Sequence, residues 1–181
     1  TATVSQTPVY LGDDTWRWTA NGGAGANAWT AELEATRLSE SEFGWEMRIS
    51  GTAGNFDRFL WFAGRSDVNA ESGVWHYYDP ESPSEPSEVI QCTWSRSGDS
   101  DDREVAFENR VAGSPEFGDR LSYVLSGSNA SVTYEDASES ATTTVQWDHS
   151  TGSGMTTNAQ GEKCCWGERT NFEDVPCERG L

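Results

Sequence analysis

The sequence is poor in lysine and methionine, and it lacks long apolar runs. Only Lys163 among 12 basic residues is a lysine, against 30 acidic residues and a formal net charge of -18. Because nucleic-acid binding depends on clustered lysine and arginine, we expect no nucleic-acid partner. No apolar run of the roughly 18 residues needed to cross a bilayer occurs, so we predict no membrane-spanning segment. The two methionines and the few leucines argue against a helical bundle.

The acidic residues are spread along the chain rather than collected in one tail. This distribution is typical of a solvated surface that repels itself and keeps a protein soluble. The near-absence of lysine suggests adaptation to a salty medium, where ions screen such repulsion. Calcium binding is the sharper interpretation, with Asp99, Asp101 and Asp102 in SGDSDDRE as its best candidates. Hard cations bind several oxygens of a flexible loop, but this spacing differs from known calcium loops, and a solvated turn is the favoured interpretation.

Aromatic side chains are abundant, with nine Trp, seven Phe and five Tyr to supply a core. Residues 56–80 contain two aromatic runs around a polar segment with Asp67, Asn69 and Gly73, which predicts a β-hairpin. Both runs carry apolar residues on either face. We therefore expect this hairpin to be covered on both sides and central to the core.

Elsewhere, apolar and polar residues alternate with a period of two over short segments separated by turn residues. The pattern in residues 28–37 and 43–50 predicts a second hairpin. The whole chain is predicted to contain about ten strands. Short connections favour antiparallel neighbours. The predicted fold is all-β: an up-and-down meander closed as a barrel or folded into a two-sheet sandwich, since closure removes exposed edges. Residues 1–14 form an N-terminal arm or edge strand, and residues 15–181 form a single β domain.

Four cysteines suggest an oxidising, extracellular setting. A bond between the adjacent Cys164 and Cys165 would be strained, so we expect Cys92 to pair with one of them and Cys177 with the other. This arrangement staples the C-terminal tail to the Cys92 strand. Zinc is a less favoured alternative, because the spacing lacks paired C-x₂-C motifs.

Several short motifs occur in order: WF-x-G and SGVWHYYDP, then TW in the next strand, then VQWD, TGSG, CCWGE and a final cysteine. With these motifs the chain resembles uncharacterised exported β-rich proteins, often lipoproteins, of marine and salt-loving bacteria. The resemblance implies export and a β fold, and it implies no activity, substrate or site. The chain begins with Thr1 rather than Met, which is typical of a processed or an engineered sequence, and removal of an export signal is one interpretation of this start.

The aromatic residues are the main candidates for ligand binding. Interior tryptophans would fill a barrel or line an apolar cavity, whereas outward ones would form a platform for sugar rings. Packing in the core is the favoured interpretation for any single tryptophan. The candidate ligand-binding set is Trp61, Trp75, His76, Tyr77 and Tyr78. Neither His76 nor His149 lies in a catalytic motif, so a structural role is favoured for each histidine alone.

Paired carboxylates provide an alternative site, because glycosidases use two of them. Glu32 and Glu34 share one face of a strand, and Glu46, with Arg48 nearby, is expected across the hairpin. Such a group is more often the solvated face of an amphipathic sheet. No catalytic motif accompanies it.

These observations predict a non-catalytic protein, secreted, periplasmic or at the cell surface. It would act as a structural or assembly component, in a homo-oligomer or an envelope assembly, or as a binding protein. The alternatives are a lipocalin-like or carbohydrate-binding module with an apolar or glycan ligand, and a polysaccharide-active enzyme. We expect no cofactor, with Ca²⁺ as the one candidate ion.

Overall fold

Strands make up nearly all the regular structure of the chain. A computed structural model describes residues 7–98, 100–167 and 174–175. The only helical segment among these residues is a short 3₁₀ turn at Gly25–Asn27. The strands are β1 (Val9–Gly12), β2 (Thr15–Gly22), β3 (Trp29–Arg37), β4 (Glu42–Gly51), β5 (Phe56–Asp67), β6 (Ser72–Tyr78), β7 (Glu88–Arg96), β8 (Arg103–Asn109), β9 (Arg120–Ser126), β10 (Asn129–Asp136), β11 (Ala141–Asp148), β12 (Gly154–Thr157), β13 (Lys163–Trp166) and β14 (Asp174–Val175).

The strands follow one another in the sheet in the order of the chain, which confirms the predicted antiparallel meander. The predicted closure is wrong: in the described part of the chain, β1 pairs only with β2 and β14 only with β13, and the strands form one sheet rather than two. Local alternation of apolar and polar residues predicts which segments form strands. It carries no information about whether the first strand reaches the last.

The chain divides into two compact units, Thr1–Gln91 and Cys92–Leu181, and β7 crosses the boundary between them. The first unit contains β1 to β6 and the start of β7. The second unit contains the rest of β7 and the remaining strands. No helix among the described residues is long and apolar enough to cross a membrane.

One face of the first unit, here called the aromatic face, is a continuous row of rings from β1 to β6. Neighbouring ring centroids lie 5.0–6.3 Å apart. Such pairs add roughly 0.5–1.5 kcal/mol each beyond the area they bury. The row runs through Tyr10, Trp16, Phe43, Trp45, Trp75, Phe62 and Tyr77. The same face carries the small buried side chains Ala20, Ala31 and Ala35 on β2 and β3.

The opposite face of the same strands, here called the polar face, carries the side chains that alternate with those rings. It contains the cross-strand pair Arg17 and Glu34 and, on β6, His76 and Tyr78. Because side chains of a strand alternate between the two faces, an aromatic face on one side fixes this polar face on the other. The candidate site below lies on it.

The hairpin of β5 and β6 is confirmed, but the expectation that both its faces are covered is wrong. Only Phe59 and Ser66 of these strands are buried, and Trp61 is 43% exposed. Trp29 on β3 is equally exposed at 43%. The two tryptophans therefore do not share an interior with Trp45 and Trp75.

Asp67 organises the turn between β5 and β6. Its carboxylate accepts hydrogen bonds from the backbone N–H groups of Asn69 at 2.8 Å and Glu71 at 3.1 Å, and also from that of Ser72. These bonds, that of Glu71 foremost, lower the pKa of Asp67 from 3.8 to about 2. The ionised form is thus favoured in the folded state.

Asp67→Asn is expected to flatten the dependence of stability on pH in the acid range. Since the folded pKa of about 2 lies below the ordinary 3.8, the stabilisation is complete above pH 3.8 and is lost as the pH falls through about 2. The midpoints of urea unfolding, measured for the wild type and D67N between these two pH values, test this prediction. A D67N profile as steep as that of the wild type would contradict it, and Glu40→Gln in the turn between β3 and β4 serves as control.

The second unit also has an apolar face, and part of it is open to solvent. Leu125 and Ala130 are buried and lie opposite each other on β9 and β10. Further along the same face, Phe107, Leu121 and Tyr134 are paired across β8 to β10 and are 42–45% exposed. The Tyr134 hydroxyl donates to the carboxylate of Asp119, which raises the pKa of Tyr134 to about 12.

The prediction that a disulfide joins Cys92 to Cys164 or Cys165 is wrong. Cys92 is a free, buried thiol, and no disulfide joins two described residues. Cys165 is disulfide-bonded, but not to Cys92, and Cys164 is exposed. Cys177 lies outside the described residues, so a short loop closed through it stays a prediction.

Cys92 is expected to resist alkylation until the protein unfolds. It is only 6% exposed, and burial raises the pKa of its thiol, so little of the reactive thiolate forms. Iodoacetamide treatment without reductant, in buffer and then in denaturant, followed by peptide mass spectrometry, tests this. Finding Cys92 in a disulfide-linked peptide would contradict the structure.

Candidate functional site

The candidate site is a hollow of about 450 Å³ on the polar face of the first unit. Seven of its lining residues lie on that face in β3 to β6: Glu34, Thr36, Gly44, Glu46, Ala63, Arg65 and His76. The volume falls within the range of small-molecule sites. We refer to it as the polar-face hollow.

Strand register places the main side chains in one row across the sheet. Arg17 lies opposite Glu34, Glu34 opposite Glu46, Glu46 opposite Ala63, and Ala63 opposite His76. Residues directly opposite on one face have Cβ atoms about 4.5–5.5 Å apart. The two carboxylates are therefore neighbours, and the imidazole faces Glu46 across the small side chain of Ala63.

Each polar side chain of the row is held by a partner. The guanidinium of Arg17 donates to Oε1 of Glu34 at 2.9 and 2.6 Å. Arg48 donates to Oε2 of Glu46 at 2.9 Å. Nδ1 of His76 lies 2.9 Å from Oε1 of Glu88. These contacts fix the three side chains, because each loses the freedom to rotate away.

The remaining polar atoms of these three side chains are open. Among the described residues, neither Oε2 of Glu34, Oε1 of Glu46 nor Nε2 of His76 has a hydrogen-bond partner. A carboxylate oxygen only accepts hydrogen bonds. The hollow therefore offers fixed acceptors to whatever enters it.

Small residues make room between these groups. Gly44 and Ala63 occupy the floor on β4 and β5, and the side chain of Leu38 lies over Gly44, 3.2 Å from where a Cβ would be. Arg65 lies at the rim, with a side chain that is 65% exposed and 3.6 Å from Glu42. The floor thus consists of small residues with Leu38 over Gly44, and charged side chains surround it.

Tyr78 lies on the same face as His76, two residues further along β6. Burial raises the pKa of Tyr78, and the charges of Glu88 and Glu46 raise it further. The phenol therefore keeps its proton at neutral pH and can donate a hydrogen bond beside the hollow.

The predicted carboxylate group comes together, but its members differ in role. Glu32 uses both oxygens, one 3.2 Å from Arg17 and the other in contact with Arg58. Glu34 and Glu46 each keep one oxygen open, so they alone face the hollow. Arg48 does not line the hollow, but it forms an ion pair with Glu46.

The predicted aromatic set is split by the structure. His76 and Tyr78 lie on the polar face, whereas Trp75 and Tyr77 lie on the aromatic face and pack against Phe62. Trp61 is exposed and does not line the hollow. These residues therefore do not form one platform.

The predicted calcium loop is described only in part, since Asp99 lies outside the described residues. Asp102 accepts a hydrogen bond from the Gly127 backbone at 2.8 Å, and this bond lowers the pKa of Asp102. The described residues contain no group of three or more metal-type side chains. A calcium role for Asp101 and Asp102 remains a prediction.

Sequence reasoning did not identify Arg17, Gly44, Ala63 or Glu88 as parts of a site. Gly44 and Ala63 face each other diagonally across β4 and β5, and only the strand register reveals that they form one floor. The signal for Glu88 is absent from local sequence, because 12 residues separate it from His76.

In comparisons with known proteins, the chain matches no protein-family model, no curated protein and no solved structure.

Proposed function

We propose that this protein is a non-catalytic binding protein that holds a sugar ring in the polar-face hollow. The observation that carries the proposal is the set of open polar atoms on fixed side chains, the acceptors Glu34 Oε2 and Glu46 Oε1 and the ring nitrogen His76 Nε2, around a floor of small residues. A sugar ring is compact and carries several hydroxyl donors. Hydrogen bonds to charged acceptors are roughly twice as strong as neutral ones, and partners fixed in advance lose little entropy on binding.

An exported location belongs to the same proposal. The disulfide at Cys165 supports an oxidising compartment, and the acidic surface supports a salty medium. A glycan-binding protein at the cell surface or in the extracellular space fits both features.

Ala63→Leu is expected to abolish glycan binding without changing any charge. The larger side chain rises from the floor between Glu46 and His76 and fills the space a sugar ring needs. Thr133→Leu, on a strand of the second unit, is the matched control. A glycan array and titration calorimetry on hits test this: the proposal fails if A63L binds as well as the wild type, or if no glycan binds the wild type.

A catalytic role has one observation in its favour, the direct pairing of Glu34 with Glu46. Retaining glycosidases hold two carboxyl groups about 5–5.5 Å apart. Incubation with any glycan that binds, followed by an assay for new reducing ends, separates the two functions. Turnover that Glu34→Gln abolishes would replace the binding proposal with an enzyme.

An assembly role also has an observation in its favour. The apolar side chains of Val9, Tyr10 and Leu11 on β1 are 46–63% exposed, and β1 has a single neighbour in the sheet. Such an edge can recruit another strand. Light scattering in high and low salt, with and without residues 1–10, tests it. A large species that dissociates on deletion would establish assembly, and a monomer in every case would exclude it.

A further inference from the structure

The direct opposition of Glu34 and Glu46 is the most unusual electrostatic feature of the polar-face hollow. Two carboxylates directly opposite on one face repel each other and destabilise a sheet. A solvated face avoids such a pair, or places a cation between its members. Here Arg17, with Arg58 at 3.9 Å, contacts Oε1 of Glu34, and Arg48 contacts Oε2 of Glu46, so one oxygen of each carboxylate has no cation contact of its own.

The other positive charge near the hollow does not relieve this repulsion. Arg65 lies at the rim, and its guanidinium is directed to Glu42. Glu88 holds the Nδ1 side of His76. Within the described residues that line the hollow, no cation contacts Oε2 of Glu34 or Oε1 of Glu46.

The charge of the whole chain acts in the same direction. A net charge of -18 produces a negative potential that concentrates cations near the surface and repels anions. Uronic acids and sulfated sugars are therefore unfavourable ligands. A positively charged sugar is favoured for two reasons, the negative potential of the whole chain and the local pair of carboxylates.

We infer that the sugar bound in the hollow is an amino sugar with a protonated amine, an inference that rests on the proposed function. An ammonium group has three donors and no acceptor, which matches the open oxygens of Glu34 and Glu46. The ring hydroxyls then face Nε2 of His76 and the hydroxyl of Thr36. Acetylation of the amine removes both the charge and two of the donors.

Three monosaccharides of nearly the same shape test the inference: glucosamine, N-acetylglucosamine and glucose. Dissociation constants are measured at neutral pH by titration calorimetry in competition mode, in low salt and then in high salt. We expect glucosamine to bind at least about tenfold more tightly than the other two. Salt is expected to weaken glucosamine binding alone, because only that interaction is ionic.

Glu46→Gln provides the matched test of the charge. Its side chain is 50% exposed, so the substitution leaves folding intact, and an amide preserves the shape. We expect the preference for glucosamine over glucose, measured as the ratio of their dissociation constants, to fall about tenfold or more. Glu104→Gln in the second unit is the control, since Glu104 is 46% exposed and likewise paired with an arginine.

The outcomes distinguish this inference from the proposed function. If glucose and N-acetylglucosamine bind as tightly as glucosamine, the amino-sugar inference is wrong and the binding function stands. If none of the three sugars binds while other glycans on the array do, the amino-sugar inference is wrong and the binding function stands, and if no glycan binds at all, both fail. A glucosamine preference that E46Q leaves unchanged would place the amine elsewhere and overturn the inference.

Discussion

Gly64→Ala is expected to destabilise the first unit severely and to abolish ligand binding. A Cβ at position 64 would lie 2.1 Å from the carbonyl oxygen of Val74 and 2.8 Å from the ring of Trp75. The carbonyl belongs to the backbone of β6 and cannot rotate away. The methyl group therefore forces β5 and β6 apart and moves His76 out of the hollow, which loses one of its walls.

Gly44→Ala is the matched control for this variant. A Cβ at position 44 meets only the end of the Leu38 side chain, at 3.2–3.4 Å, which can shift. Urea denaturation followed by tryptophan fluorescence is expected to show a large loss of stability for G64A and a small one for G44A. Equal midpoints for the two variants would show that β5 and β6 are not packed as described.

Phe59→Ala is expected to lower the free energy of unfolding by about 3–5 kcal/mol, the usual cost of removing a buried phenylalanine ring. Phe59 is 2% exposed and stacks on Phe56 with ring centroids 5.3 Å apart. It is the largest of the buried apolar side chains of the first unit, so the remaining small core cannot close the gap.

Phe107→Ala removes the same ring from a site that is 42% exposed and serves as the control. Its expected cost is well below that of Phe59→Ala, because much of the ring is already in water. Chemical denaturation of both variants measures the difference. A loss below about 1 kcal/mol for F59A would contradict the position of Phe59 in the core.

Much of the local structure was predictable from alternation. The hairpins of β3 with β4 and β5 with β6 follow from period-two patterns with polar turns between them. The strands β13 and β14 were missed, because the cysteine-rich segment was interpreted only as a stapled tail. Barrel closure was predicted wrongly, since it depends on a contact between the ends of the sheet that no local pattern encodes.

The candidate site was predicted in pieces. Glu34, Glu46 and His76 were each singled out, but in different hypotheses. The sequence does show that His76 and Trp75 lie on opposite faces, because adjacent residues of a strand alternate. Grouping His76 with the carboxylates requires the register across β4, β5 and β6, which includes a bulge after Met47. Bulges shift pairing by a residue and are not evident in this sequence.

The pairing of the cysteines could not be predicted from the sequence either, for a similar reason. Strain between adjacent cysteines excludes one pairing, but it does not show that every remaining cysteine is bonded. Cys92 is instead buried as an apolar side chain on β7, a common environment for a free thiol.

A map of backbone amide chemical shifts during titration with glucosamine tests whether the polar-face hollow is the binding site. The expected shifts cluster on β3 to β6 around Glu34, Glu46, Ala63 and His76, and they disappear in A63L. Shifts confined to the second unit, or shifts that persist unchanged in A63L, would contradict the claim.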